Sequence, residues 1–380
     1  MRLLYLLPAS LLIIFSCNSR NNTGSGSAQE QKSSAVTAAR FSLENQDGIF
    51  RLVIIDPWQN ASGEQLVYYL VPTGVVIPEN VPPENVIRIP VERMICMSTT
   101  HLAVLSALGA IDVIAGASGT NLVFDALLGK AIEEGRIPDV GYEGSLDKEL
   151  IVSLRPDLLM AYGVGASSAE YLRKLSDMGV KVMFNADYLE EHPLARCEWI
   201  KVFGLLTGKK EKADSLYAAV SDNYLRLAEM VRKSAESRPA VLLGAPWEDV
   251  WYISPANSYV GRLISDAGGR YLFDDIAAPN SLPYAVEAVF RRATEADLWI
   301  NPGTSESLSD IPAYDHRMTK LPVYKSGKIW NNRKRMTPGG GNDYWESAVV
   351  RPDILLADFI SIIHPELLPG QQPYYFMRLK

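Results

Sequence analysis

The longest regular pattern in the chain runs from Lys209 to Glu236. Apolar residues recur there at helical spacing, and Lys, Glu, Asp and Arg occupy the opposite face. The apolar positions are Ala213, Leu216, Tyr217, Val220, Tyr224, Leu227, Ala228 and Val231. The pattern predicts one helix of roughly 42 Å at 1.5 Å per residue, which is longer than one small lobe needs. We interpret it as a rigid connection between two lobes; the alternative is a long surface helix of a single domain.

The part of the chain before this helix shows two further patterns. Residues 41–71 alternate between apolar and polar positions, with Asp47 and Gly48 between two apolar runs. This predicts an antiparallel hairpin or meander. From Arg88 onwards, short apolar runs such as VERMICM alternate with helical patterns, the first of which begins after Ser98. Short strands that alternate with helices predict a mostly parallel sheet covered on both faces.

The same alternation of strands and helices returns after the long helix. We therefore predict an α/β fold with two Rossmann-like lobes joined by one long α-helix, and with an N-terminal β-hairpin extension. The predicted segments are a lipoprotein signal peptide (1–17), a flexible linker (18–39), the N-terminal lobe with its extension (40–207), the interlobe helix (208–237) and the C-terminal lobe (238–380).

The N-terminus predicts membrane attachment. Arg2 precedes an apolar run of about 14 residues, too short to span a bilayer comfortably, which ends at Ser16 and Cys17. This is typical of a secretory signal with a lipoprotein cleavage site, after which Cys17 carries lipid chains; the alternative is an uncleaved anchor. The Asn-, Ser- and Gly-rich residues 18–39 predict a flexible linker. The leader resembles those of Bacteroidetes-type lipoproteins, but no acidic surface-export cluster follows Cys17, so we expect the protein to face the periplasm.

Composition and charge narrow the function classes. The 380 residues are 47% hydrophobic, which is enough for two packed cores. The net charge of −7 argues against a nucleic-acid binder, so we expect a small-molecule partner. We also expect a monomer. Cys96 and Cys197 are either core thiols or a disulfide pair. The four histidines show no HxH or HxxxH spacing, so a site built from several histidines is not expected.

Candidate ligand-binding residues follow the predicted strands, because ligands of open α/β sheets bind beyond the carboxyl ends of the strands. Tyr and Trp suit a large planar or ring-shaped ligand, and Arg suits carboxylate or catecholate oxygens. These loops also hold Asp187, Asn257 and Asn301. The ligand-binding candidates are Thr99, Thr100, His101, Asn121, Tyr142, Tyr162, Tyr188, Trp247, Trp251, Tyr259, Tyr284, Arg333, Arg335, Asn342, Tyr344 and Trp345.

Two features of these loops carry more than one interpretation. The run TPGGGNDYWES lacks the Gly-Lys-Ser/Thr of a phosphate loop; its glycines predict either a close approach of another surface at a cleft wall or a plain turn. His101 is either a ligand to a haem or metal, or a structural histidine. The sequence has no nucleophile elbow or paired zinc motif, and the spacing of Glu143, Asp187 and Asp343 does not single them out as an acid and base.

The order of these segments resembles the class III substrate-binding proteins of ABC importers. The resemblance covers the chain from about Arg88 to Leu368. It is carried by the leader, by the long helix and by the segments VERMICMSTTHLAVLSALGAIDVIAGASG, SLDKELIVSLRPDLLMAYG and LRKLSDMGVKV. It implies two α/β lobes with little hinge motion, a shallow cleft, and no catalysis. It also implies a metal complex as ligand, either a ferric siderophore, haem or cobalamin, with no intrinsic cofactor.

The resemblance further implies a membrane partner, an ABC permease with its ATPase. In that family a surface Glu on each lobe pairs with arginines of the permease, and by position these are Glu170 and Glu306. Two exposed carboxylates can orient docking electrostatically. The first hypothesis is an iron-complex carrier and the second is a cobalamin carrier. A membrane-tethered hydrolase and a surface-adhesion lipoprotein are the rivals from other classes.

Overall fold

The computed structural model describes residues 38–142, 145–163 and 173–380. The predicted signal peptide with Cys17, the linker before Ala38, and Glu170 lie outside the described residues. Among the described residues, no helix combines the length and apolar character needed to cross a membrane.

The predicted meander is present and is part of a larger sheet. β1 (Phe41–Gln46), β2 (Ile49–Ile55) and β3 (Gln65–Pro72) pair antiparallel in order. Asp47 and Gly48 have φ angles of 52° and 84°, which is the geometry that a tight two-residue hairpin requires. β4 (Val86–Ile89) adds to β3 in parallel, within a proline-rich stretch.

The N-terminal lobe contains a parallel four-stranded sheet in the order β6-β5-β7-β8. Its strands are β5 (Met94–Cys96), β6 (Ile114–Ala117), β7 (Leu158–Ala161) and β8 (Val182–Phe184). Its helices include α1 (Thr99–Leu108), α2 (Ala126–Glu133), α3 (Lys148–Ser153), α4 (Pro193–Glu198) and α5 (Ile200–Leu206). The Ser98 hydroxyl caps α1, and Gly109 ends this helix in the left-handed conformation.

The long helix is confirmed as α6 (Lys210–Ser234). Its first half contributes Tyr217 and Val220 to the hydrophobic core of the N-terminal lobe. Its second half contributes Tyr224 and Leu227 to the core of the C-terminal lobe. One continuous helix is therefore built into both cores, which fixes the separation of the lobes, and the interpretation as a surface helix of a single domain is wrong.

The C-terminal lobe has a five-stranded sheet and a separate hairpin. The sheet order is β11-β9-β13-β14-β15, parallel except for β15, and β10 pairs with β12 in the hairpin. The strands are β9 (Ala240–Leu243), β10 (Val250–Ile253), β11 (Arg270–Tyr271), β12 (Leu282–Ala285), β13 (Leu298–Ile300), β14 (Ile329–Asn331) and β15 (Met377–Arg378). The helices are α7 (Tyr259–Asp266), α8 (Val286–Ala293), α9 (Pro322–Ser326), α10 (Asp343–Glu346) and α11 (Pro352–Ile363).

The two cysteines of the described chain are buried free thiols, so the disulfide alternative is wrong. Burial raises the pKa of the Cys197 thiol to about 12 and raises the pKa of Cys96 as well. Both thiols therefore stay protonated and unreactive, and they act as small core residues.

Candidate functional site

A cavity of about 640 Å³ lies between the two lobes, at the carboxyl ends of the C-terminal strands. Leu243, Asn301 and Asn332 mark the ends of β9, β13 and β14 in its wall. The opposite wall comes from residues 188–191 and Arg196, which follow β8 in the N-terminal lobe. The site thus lies where ligands of open parallel sheets bind.

The wall from the N-terminal lobe is charged and internally bonded. Arg196 donates to Asp187 at 2.9 Å, and its guanidinium lies 5.4 Å from the centre of the Tyr259 ring across the cleft. The Glu190 carboxylate accepts hydrogen bonds from the main-chain N–H groups of Ala39 and Arg40, at 2.9 and 3.0 Å. Burial raises the pKa of Glu190 above its ordinary value, although these hydrogen bonds oppose the shift. The chain segment that leads in from the linker is therefore bound to the cleft wall.

The wall from the C-terminal lobe is rich in amides and aromatic rings. Asn257 donates to Glu191 at 2.8 Å, so it also bridges the lobes. Asn301 has a φ of 56°, and its amide group hydrogen-bonds to Tyr344. The Trp345 ring packs edge-on against Tyr344, with ring centroids 4.7 Å apart, and 61% of Trp345 is exposed. Such a flat, accessible face is suited to stacking on a large ligand.

On the other side of the cavity the lobes are in direct contact. The glycine run 339–341 lies against the main chain of residues 121–123: a Cβ atom built on Gly341 would lie 2.7 Å from the Val123 carbonyl oxygen. The buried Glu346 carboxylate accepts from the main-chain N–H groups of Phe124 and Asp125, at 2.6 and 2.8 Å. Burial raises the pKa of Glu346 to about 7. This contact involves the segments that follow β5 and β6 of the N-terminal sheet, whereas the segment that follows β8 lines the cavity.

Comparison with known proteins identifies the family. Residues 94–331 match the family model described as periplasmic binding protein, which is more than half of the chain. The chain belongs to the periplasmic binding protein family. This confirms the resemblance drawn from the sequence, with its two α/β lobes and long helix.

Relatives of this periplasmic binding protein come from several organisms. An uncharacterized lipoprotein of Methanocaldococcus jannaschii is 27% identical over 308 residues, which cover 77% of this chain and 70% of the relative. A periplasmic heme binding protein from Pseudomonas aeruginosa shares the fold with a TM-score of 0.57 at 18% identity, covering 76% of this chain and 98% of that one. The structure of a possible iron-binding periplasmic solute-binding protein from Staphylococcus epidermidis matches with a TM-score of 0.56 at 20% identity. The match covers 72% of this chain and 99% of that one.

The cleft of this binding protein brings together six of the sixteen candidate ligand-binding residues. They are Tyr188, Tyr259, Arg333, Asn342, Tyr344 and Trp345. Tyr162 lies behind this wall, where its ring packs edge-on against Tyr188 at 6.5 Å, and the Tyr188 hydroxyl donates to the Gly163 carbonyl.

Four candidates of the N-terminal lobe lie away from the cavity at the closed contact. Thr99 and Thr100 form the start of α1, which packs against α10. His101 is fully buried against Phe203, and burial lowers the pKa of its imidazole to about 4. The carbonyl oxygen of Asn121 lies under Gly339.

The remaining five candidates are also outside the cavity wall. Tyr142 and Trp247 are solvent-exposed, at 68% and 73%. Trp251 is buried and donates to the Leu243 carbonyl, and Tyr284 packs against Phe273. Arg335 pairs with Asp343 at 2.5 Å and lies over the Tyr374 ring.

The search for candidates in the loops that directly follow the predicted strands missed several residues of the cavity wall. Glu190, Glu191 and Arg196 follow Tyr188 closely in the connection after β8, so their proximity in sequence was the available signal. Arg40 and Gln59 come from the N-terminal extension, and no local pattern links them to the cleft.

The cleft has no constellation typical of an enzyme in the part of the chain that is described. Of the three carboxylates considered as acid and base, Glu143 lies outside the described residues, and Asp187 and Asp343 are each held in an ion pair with an arginine. No group of three or more His, Cys, Asp or Glu side chains able to hold a metal ion occurs among residues 38–142, 145–163 and 173–380. The arrangement supports binding through hydrogen bonds and stacking.

Proposed function

We propose that this periplasmic binding protein captures an iron complex, either a ferric siderophore or haem, and delivers it to an ABC permease without altering any bond. The observation that carries the proposal is the cavity between two lobes that α6 holds at a fixed separation. Aromatic rings of Tyr259 and Trp345 provide stacking faces, and polar groups from both lobes surround them.

A corrinoid such as cobalamin is the second candidate ligand. The cavity wall carries six side-chain amides, a density that suits a ligand whose own periphery bears amide groups. They are Gln59, Asn257, Asn280, Asn301, Asn332 and Asn342.

The absorption spectrum of the full chain, purified from its native host, tests the binding function. Haem, ferric siderophores and corrinoids absorb at different visible wavelengths, so a co-purified ligand identifies its class. We expect a coloured protein, or a colourless one that changes its spectrum when one of these complexes is added. A protein that binds none of them, or that returns a bound complex chemically changed, contradicts the proposal.

We propose in addition that Glu306 and Glu170 contact the permease. Glu306 is exposed at the rim of the cleft, and its carboxylate pairs with Arg333 at 2.7 Å. Alanine at both positions should abolish uptake without lowering ligand affinity. A large fall in affinity would instead place these residues in ligand binding.

We propose that lipid on Cys17 holds the protein at the periplasmic side of the membrane. Cys17→Ser removes the acylation site, so the chain should move from the membrane fraction to the soluble fraction. A variant that stays with the membrane would indicate an uncleaved N-terminal anchor.

A further inference from the structure

Each arginine of the cavity wall already has a carboxylate partner. The positive charge of a guanidinium that is paired in this way is already compensated, and an anionic ligand that displaced the carboxylate would leave that carboxylate without a counter-charge. The pairs are Arg40 with Asp56 at 3.0 Å, Arg196 with Asp187 at 2.9 Å and Arg333 with Glu306 at 2.7 Å.

Two further carboxylates add negative charge to the same wall. Glu190 accepts hydrogen bonds from main-chain N–H groups and from the Trp199 indole, and Glu191 accepts from the Asn257 amide. These donors are neutral, and neither glutamate forms an ion pair with any residue that the structure describes. The lining residues themselves carry three guanidinium groups and two carboxylates, and with the three carboxylates that pair with these arginines the charged groups in and behind the described wall are five carboxylates and three guanidinium groups.

A hydrogen-bond acceptor in the wall also lacks a donor. The side-chain oxygen of Asn301 is buried and has no hydrogen-bond partner among the described residues. Leaving a buried acceptor unsatisfied is unfavourable, so a ligand N–H placed there would gain a hydrogen bond without displacing an existing one.

The described cavity wall contains no His, Cys or Met side chain. Of its tyrosines, Tyr188 bonds to the Gly163 carbonyl and Tyr344 to Asn301. The described wall thus offers a metal no nitrogen or sulfur ligand from His, Cys or Met, which favours a metal whose coordination is completed by the ligand it travels with.

We propose that the cavity selects metal complexes that have no net negative charge and present N–H groups to its wall, and that it discriminates against polyanionic complexes. This inference rests on the function proposed above and narrows its ligand class. An uncharged or cationic complex leaves all three ion pairs intact and can donate to Asn301. A polyanion meets Glu190 and Glu191 without a free cation to compensate it.

Titration calorimetry on the full chain in detergent tests this selectivity with four probes. The ferric complex of desferrioxamine B is cationic and cyanocobalamin is neutral, and both carry amide N–H groups. The ferric tris-catecholate of enterobactin carries three negative charges, and haem carries two propionates. We expect at least one of the first two probes to bind about 100-fold more tightly than either anion, a difference of about 2.7 kcal/mol.

The possible results separate this inference from the binding function. If an anionic probe binds as tightly as the best non-anionic one, the charge inference is overturned and the binding function stands. If none of the four binds, the binding function is overturned together with the inference.

A charge variant gives a second test that does not depend on the natural ligand. Glu306→Gln releases the Arg333 guanidinium into the wall, so the affinity for the ferric tris-catecholate should rise about tenfold. The matched control is Glu287→Gln, which breaks the exposed 2.9 Å pair with Arg317 outside the cavity wall and should change no affinity. An unchanged catecholate affinity in Glu306→Gln, or an equal rise in the control, overturns the inference.

Discussion

The two lobes meet in two different ways. On the closed side, glycines 339–341 place main chain against main chain, and Glu346 from one lobe accepts hydrogen bonds from the other. On the open side, the lobes face each other across the cavity, and only a few side-chain bonds span it, such as Asn257 to Glu191 at 2.8 Å. The closed side has the tighter main-chain contacts, whereas the open side leaves a cavity whose wall includes the unpaired side-chain oxygen of Asn301.

This difference indicates that the closed side of the interface fixes the position of the lobes and that the open side binds the ligand. Main-chain contacts at the closed side fix the position of the lobes together with α6, because glycine permits an approach that a Cβ would prevent. The open side can then be varied in its side chains without changing that position. Substitutions on the closed side should therefore alter stability, and those on the open side should alter affinity.

The largest expected effect is the pH dependence that Glu346 gives to the closed side. Burial raises the pKa of this carboxyl from an ordinary 4.5 to about 7, while the hydrogen bonds from Phe124 and Asp125 lower it and the charges of Asp125 and Asp343 raise it further. The folded protein therefore binds a proton that the unfolded chain releases. The free energy of unfolding should fall as pH rises from about 4.5 to about 7, by up to about 3 kcal/mol.

The variant Glu346→Gln isolates this contribution. Glutamine keeps the shape and an acceptor oxygen but cannot titrate, so the wild-type minus variant difference should slope between pH 4.5 and 7 and be flat above it. Denaturant unfolding of the full chain at several pH values measures it. If the free energies of unfolding of wild type and variant change with pH in parallel, Glu346 keeps an ordinary pKa.

The next effect in size concerns the glycine contact. In Gly341→Ala the added methyl group would lie 2.7 Å from the Val123 carbonyl oxygen and 2.8 Å from that of Leu122, so the segments must separate. We expect a loss of about 1–3 kcal/mol in the free energy of unfolding. The matched control is Gly129→Ala within α2, where a Cβ meets no atom within 4 Å and should stabilise the helix by up to about 1 kcal/mol. Equal effects of the two variants would mean that the lobes do not depend on this approach.

The sequence could predict the features that depend on local patterns, but it could not predict the contact between the lobes on the closed side. The long helix was predicted within about two residues at each end, because its apolar stripe repeats over many turns. The meander and the alternating lobes follow from equally local patterns. Thr99, Thr100, His101 and Asn121 follow N-terminal strands as the strand-end rule requires, yet a loop from the other lobe occupies the space beyond those strands. No local pattern reports a contact between residues more than two hundred positions apart.

The smallest of these effects is expected on the open side, at Trp345. Its ring is 61% exposed and lines the cavity, so Trp345→Ala should weaken binding of the ligand identified by the absorption spectrum about tenfold, or 1.4 kcal/mol. The free energy of unfolding should change little, because few contacts are lost. Trp247→Ala is the matched control, since that ring is 73% exposed but lies outside the cavity wall, and its loss should leave affinity unchanged. Equal ligand affinities in the two variants would show that Trp345 does not bind the ligand. A loss of stability in Trp345→Ala alone would show that the open side also holds the lobes together.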